Sequence, residues 1–189
     1  MVKIGILDLQ GDVKEHFETV KKCGGEPLRV KYKEDLKKID GLIIPGGEST
    51  TIGKLLSRYG ILEEIKNFHL PIFGTCAGVV LLAKKIKNSE QVRLSLLDIE
   101  VERNAYGPQK FSFESFIKIE KLGIENYRGI FIRAPIIKKV GENVEVLAKL
   151  DENIVFVKEG NIIACTFHPE LTDDLRIHQY FLEIVKGGV

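Results

Sequence analysis

Tryptophan is absent from the sequence, methionine occurs once, and the three cysteines, at 23, 76 and 165, form no CxxC pair. An odd number of widely spaced thiols excludes a disulfide-stapled scaffold and the paired-thiol spacing of a redox or structural zinc site. Charge of one sign is missing too. The 28 basic and 27 acidic side chains leave a net charge of +1, and the lysines are scattered, so no stripe is available for nucleic acid. No apolar run approaches the ~18 residues a membrane span requires, and "MVKIGILDL" enters a strand-like run without a basic leader or cleavage site. These absences predict a soluble, cytoplasmic protein with reduced thiols and neither nucleic acid nor membrane as a partner. High Lys and Glu content beside so little Met and Trp is a thermophile's composition.

What is present suffices for one core: 189 residues, 44% of them hydrophobic, predict a single domain over 1–189. Short apolar runs alternate with segments of helical period, the pattern of parallel strands joined by crossover helices. "KIGILDL", "PLRVK", "IDGLIIPGG" and "PIFGT" read as strands. Helices are predicted from the N-cap Asp12 to about Cys23, over "TTIGKLLSRYG", over "AGVVLLAKKIK", and from about Asp173 to Lys186. From Leu94 the texture turns to short β-rich runs, "LDIEVER", "ESFIKIE", "RGIFIRAP", "VEVLAKL" and "NIVFVKEGNIIACTFH", with "EGN" as a hairpin turn. The fold class that follows is α/β: a mostly parallel open sheet with an antiparallel β-rich C-terminal part.

Three loops at the carboxyl ends of predicted strands stand where open α/β sheets place their ligands. In "FGTCAGVV" the nucleophile candidate Cys76 has Gly74 and Gly78 two positions to either side. That is the layout of a strand-to-helix elbow, whose tight turn needs small neighbours, and a following helix N-terminus favours a thiolate. Cys23 and Cys165 have no such context and read as packing residues. In "TFHPEL", His168 and Glu170 are two apart, so in extended chain they project to one side. The carboxylate can hold one imidazole nitrogen while the other serves the thiol as a base. His16 and His178, on predicted helices, and His69, before a strand, read as surface or packing residues. No histidine cluster has metal-ligand spacing, and thiol chemistry of this kind calls for no cofactor.

The third loop, "PGGEST", could cradle an anion, but it fails the P-loop pattern. Five residues separate Gly47 from Gly53 where four are required, and Leu55 follows Lys54. Gly46 and Gly47 read instead as oxyanion-hole backbone beside the thiol, with Ala77 after the nucleophile as the other donor. The peptide between two glycines can turn over at small steric cost, so such a hole can wait for a docking partner to complete it. Residue chemistry alone leaves other readings open: another cysteine hydrolase of flavodoxin-like fold, or a regulatory module that binds a ligand without cleaving it.

The order Cys76, His168, Glu170 resembles that of the class I, or triad, glutamine amidotransferases. "LDLQGDVKEH", "LIIPGGESTTIGKL", "GTCAGVVLLAK", "VERNAYGPQKFSFE", "FIRAP" and "FHPELTDDLRIHQYF" together resemble the glutaminase subunits of pyridoxal 5'-phosphate synthases, over nearly the whole chain. Pro108, in "YGPQ", stands where that family usually has arginine. The resemblance implies a three-layer, flavodoxin-like fold and hydrolysis of L-glutamine through a thioester on Cys76. It also implies ammonia delivery to a synthase subunit in a hetero-oligomer. By the same resemblance Gly47, Glu48, Ser49, Arg103, Ile132 and Arg133 are the glutamine-binding residues, with the arginines able to grip a carboxylate through paired hydrogen bonds.

Overall fold

In the computed structural model, which describes residues 1–107 and 111–188, the first part of the chain runs β1 (Lys3–Leu7), α1 (Val13–Lys22), β2 (Glu26–Val30), β3 (Gly41–Ile44), α2 (Ser49–Arg58), α3 (Leu62–Lys66), β4 (Ile72–Thr75) and α4 (Ala77–Leu82). The β-rich part follows as β5 (Ala83–Ile86), β6 (Leu97–Glu102), β7 (Ser112–Ile119), β8 (Ile124–Ile132), β9 (Ile136–Val140), β10 (Glu145–Leu150), β11 (Asn153–Glu159) and β12 (Ile162–Cys165), closed by α5 (Arg176–Val185). The main sheet has the order β2-β1-β3-β4-β12-β11-β9-β6-β5, with β10 on the flank of β11, while β7 and β8 form a separate ribbon. Strands β2, β1, β3, β4 and β12 are parallel, and β11 turns back antiparallel to β12 through the expected "EGN" hairpin, where Gly160 takes φ 59°.

Period-two patterning divides the core between the two faces of the sheet. Leu42 and Ile44 of β3, Ile72 of β4 and Ala164 of β12 join α2, α3 and α4 on one face. Ile43, Phe73, Ile163 and Cys165, the alternate residues of the same strands, join α1 and α5 on the other. The central strands are therefore buried on both sides, as near-continuous apolar runs predict, and the helices form the outer layers of a three-layer fold. Among the described residues no helix is long and apolar enough to cross a membrane.

Neither α3 nor β9 is among the elements named from the sequence, and one element that was named departs from expectation. "AGVVLLAKKIK" does not form a single helix; α4 stops at Leu82 after six residues, all buried, and the chain turns extended at Ala83. The next four residues form β5, parallel to β6. Charge complementarity lines the pair. Lys84, Lys85 and Lys87 reach Asp98, Glu100 and Glu102 at 3.5, 3.2 and 3.1 Å, opposite charges that suit neighbouring strands.

Candidate active site

The sheet order explains the site. Strands β1, β3, β4 and β12 are parallel and adjacent, so their carboxyl ends bring Asp12, Gly46, Cys76 and His168 together. Cys76 sits at φ 48°, ψ −102°, a region costing a non-glycine residue ~1–3 kcal/mol and characteristic of nucleophile turns. Its amide donates to the Cys165 carbonyl at 2.9 Å, which ties the elbow to β12. Gly78 is required by the close approach to β3, because a Cβ there would lie 2.3 Å from the Ile44 carbonyl oxygen. Cys76 is 7% exposed, and Sγ points its hydrogen toward the Ile132 carbonyl at 3.6 Å.

His168 opens the short 3₁₀ turn Pro169–Leu171, and its amide is held by the Ile130 carbonyl at 2.8 Å. That turn brings Glu170 back onto the ring. Nδ1 lies 2.6 Å from Glu170 Oε1 and 3.3 Å from Asp12 Oδ2. A nitrogen facing two carboxylates must carry the hydrogen, which leaves Nε2 as the proton-exchanging position. Nε2 is buried without a hydrogen-bond partner among the described residues. Burial opposes charge on this ring, but Asp12, Cys76 and Glu170 around it outweigh burial and push its pKa well up. Glu170 is moved up by burial, with the His168 contact working the other way. Asp12, His168 and Glu170 offer donor atoms within 4.8 Å of one another. A cation there would have to displace the proton that the 2.6 Å contact describes.

Cys76 and His168 open onto a cavity of about 410 Å³, within the size range of small-ligand sites. Gly47, Glu48, Ser49, Arg103, Ile132 and Arg133 all line it, as does Ala77. Gly46 lies beneath, where a Cβ would come within 2.5 Å of His168 Cε1, and its carbonyl accepts from the Asp12 amide at 3.0 Å. The Glu48 side chain is spent locally. It caps α2, accepting from the amides of Thr50 and Thr51, and although burial works against its charge, these bonds and the two threonine hydroxyls hold its pKa down at about 2. Arg103 donates to Gln91 Oε1 at 2.6 Å, and Gln91 donates on to the Ser49 hydroxyl at 3.1 Å. Arg133 has φ 44° and carries its guanidinium over the Phe111 ring at 5.4 Å.

Several of these participants escaped sequence reasoning. Asp12 does stand at the N-cap of α1 but makes no side-chain cap bond, because its carboxylate faces His168. Gln10, whose Oε1 accepts from the Glu48 amide at 2.8 Å, and Gln91 gave no signal. Of the surface and packing readings open for His16 and His178, packing holds, though their place beside the site was not foreseen: both are fully buried, and His16 touches Glu170 at 3.5 Å. Each sits among core-facing positions of its helix, Val13 and Val20 for His16, Ile177 and Phe181 for His178, and that placement was the available signal. Cys165 is fully buried and burial pushes its thiol well up; Cys23 is moved to about 11 for the same reason. Pro108 lies outside the described residues.

The model of the SNO glutamine amidotransferase family matches residues 6–187. The chain is 58% identical to the pyridoxal 5'-phosphate synthase subunit PdxT of Thermotoga maritima over 98% of its own length and all of the relative's. It is 51% identical to the protein of the same name from Carboxydothermus hydrogenoformans, with full coverage of both. A crystal structure of a glutamine amidotransferase superposes with TM-score 0.92 at 49% identity, covering 97% of this chain and 98% of that one. Another glutamine amidotransferase structure, from Thermotoga maritima, shares the fold at TM-score 0.61 and 13% identity, over 98% of this chain and 84% of that one. An elbow cysteine, a carboxylate-held histidine and a matching family model over nearly the whole length agree: the chain belongs to the SNO glutamine amidotransferase family.

Proposed function

We propose that the protein is the cytoplasmic glutaminase subunit of a pyridoxal 5'-phosphate synthase, and that the whole chain acts as one glutaminase domain. The observation that carries the catalytic reading is the common opening of Cys76 and His168 onto one cavity that also holds Arg103 and Arg133. The metabolic reading is supported by the relatives named above.

In this reading His168 Nε2 holds the Cys76 proton, as the raised pKa of the ring favours, and Sγ attacks the side-chain carboxamide carbon of L-glutamine. The tetrahedral oxyanion is held by backbone N–H groups of Gly47 and Ala77, a form of stabilisation worth ~3 kcal/mol per donor. His168 gives the proton to the departing nitrogen, ammonia leaves, and a γ-glutamyl thioester remains. Water, deprotonated by the same nitrogen, attacks the thioester carbonyl; glutamate leaves and the thiol is restored. Arg103 and Arg133 are the groups that can take the substrate α-carboxylate, and Ser49 and the Ile132 carbonyl border the same space.

The ammonia goes to a synthase subunit docked on the glutaminase. Turning the Gly46–Gly47 peptide over breaks the bond from the Asp12 amide to the Gly46 carbonyl, a loss of ~1 kcal/mol that docking can offset. The isolated chain is therefore expected to be a weak glutaminase and the complex a strong one. Ammonia and glutamate release from glutamine, with and without the synthase subunit, tests both points. No release in either condition refutes the enzyme; equal release in both refutes the gating alone.

A further inference from the structure

Behind the triad lies a pair of buried rings that the thiol chemistry does not use. His16 on α1 and His178 on α5 are fully buried, and His16 Nδ1 lies 2.9 Å from His178 Nε2. The far edge of His16 faces the active site: Nε2 is 3.1 Å from the Thr75 hydroxyl and 3.5 Å from Glu170 Oε2. Phe73 meets both rings edge-on, with centroids 6.3 and 5.6 Å away. Burial keeps both imidazoles neutral: His178 is moved down to about 3, and His16 is moved well down by burial, with its His178 and His168 neighbours acting the same way. Each ring therefore carries one hydrogen, and the question is where.

Two arrangements satisfy the contact between the rings. If His16 donates from Nδ1, the hydrogen of His178 must sit on its own Nδ1, which is buried without a partner. The bare Nε2 of His16 would then turn a lone pair toward a carboxylate. If instead His178 donates from Nε2, His16 donates from its Nε2 toward Thr75 and Glu170, and only a lone pair on His178 is left bare. An orphaned buried donor costs ~1–3 kcal/mol, and the second arrangement avoids it. The carboxylate favours the same choice. Glu170 is buried, its Oε1 is committed to His168, and Oε2 makes no hydrogen bond among the described residues, so an N–H of His16 lying 3.5 Å away favours the ionised form.

We propose that His16, with its tautomer set by His178, is a positioning residue for the triad: an Nε2–H group directed at Glu170 Oε2 that keeps Glu170 ionised and oriented, so that Oε1 holds the His168 Nδ1–H and turns Nε2 toward Cys76. The proposal rests on the triad assignment, and the contact with Thr75, the residue before the nucleophile, ties the same histidine to the elbow. Nitrogen-15 imidazole NMR of the intact wild-type chain should find both His16 and His178 protonated at Nε2. With the synthase subunit supplied, His16→Leu should lower kcat about 10- to 100-fold with KM within about twofold. His16→Gln, whose amide N–H reaches about as far as Nε2, should recover most of that loss. His16 protonated at Nδ1 overturns the proposal, as does wild-type kcat in His16→Leu or a His16→Gln variant as impaired as the leucine. The tautomer is read on the wild type, so the test stands even where the leucine variant fails to fold. Activity surviving in Cys76→Ser is a separate result, which would remove the triad itself.

Discussion

Strands β2, β1, β3, β4 and β12 run parallel and end in loops that carry Cys76, His168, Glu170 and the two glycines, the residues proposed for the chemistry. Strands β11, β9 and β6 run antiparallel to one another and, with the β7–β8 ribbon, bring Arg103, Ile132 and Arg133 to the other wall of the same cavity. The parallel half is double-sided and apolar, its helices packed on both faces, so its loop ends are held by a rigid layer on either side. The β-rich half is stitched by exposed charge pairs such as Arg128 with Glu114 at 2.8 Å and Lys121 with Glu145 at 2.6 Å, which contribute ~1 kcal/mol or less each. The proposed chemistry thus rests on the parallel half and the proposed substrate grip on the β-rich one.

Breaking the parallel half should cost most. Cys76→Ser and His168→Asn are each expected to cut glutamine hydrolysis by at least ~10³-fold. A glutamine analogue bearing an electrophile should label Cys76 alone, and mass-spectrometric mapping to Cys23 or Cys165 would move the nucleophile elsewhere. Glu170→Gln should lose less, by about two orders of magnitude relative to those variants, because nucleophile and base stay in place. Hydrolysis at the wild-type rate would take Glu170 out of the triad.

On the substrate wall the expected effect is smaller and different in kind. Arg103→Ala or Arg133→Ala should raise KM about 10-fold or more while changing kcat less, the signature of lost ground-state binding. Steady-state kinetics with the synthase present separates the two; a kcat loss at constant KM would bring these arginines into the chemistry.

The smallest effects belong to groups that only hold the loops. The folded pKa of Glu48, about 2, lies below the ordinary carboxyl value, so its stabilisation is present above that ordinary value, near pH 4.5. It is lost as pH falls from there through the folded value. Glu48→Gln should therefore flatten acid unfolding between about pH 5 and 2, with a change of ~1 kcal/mol or less at neutral pH since the group is exposed. Chemical denaturation at several pH values measures it.

The parallel half was also the more legible in sequence. Continuous apolar runs named its strands, and "FGTCAGVV" named the elbow, since small residues around one thiol have a steric reason that Gly78 against Ile44 makes explicit. His168 and Glu170 were readable from a spacing of two. The β-rich half was harder to read: β9 went unnamed, and "AGVVLLAKKIK" misled because a short apolar run suits a buried helix and a buried strand equally. Its partner, "DIEVE", lies more than ten residues downstream, and no local pattern could announce that pairing.

Sequence by itself determined most of the alternation of strands and helices and pointed to the elbow thiol and the His168–Glu170 pair, because each follows from local sterics or from a spacing along one strand. Tertiary structure alone decided what surrounds them. Asp12, which reads as a helix cap, is turned onto His168. Glu48, which reads as a charge for the substrate, is spent on the cap of α2. His16 and His178, 162 positions apart, meet behind Glu170 because α1 and α5 pack on the same face of the sheet. Hydrogen bonds between distant segments depend on how the layers stack, and stacking is a property of the whole core that no short stretch of sequence encodes.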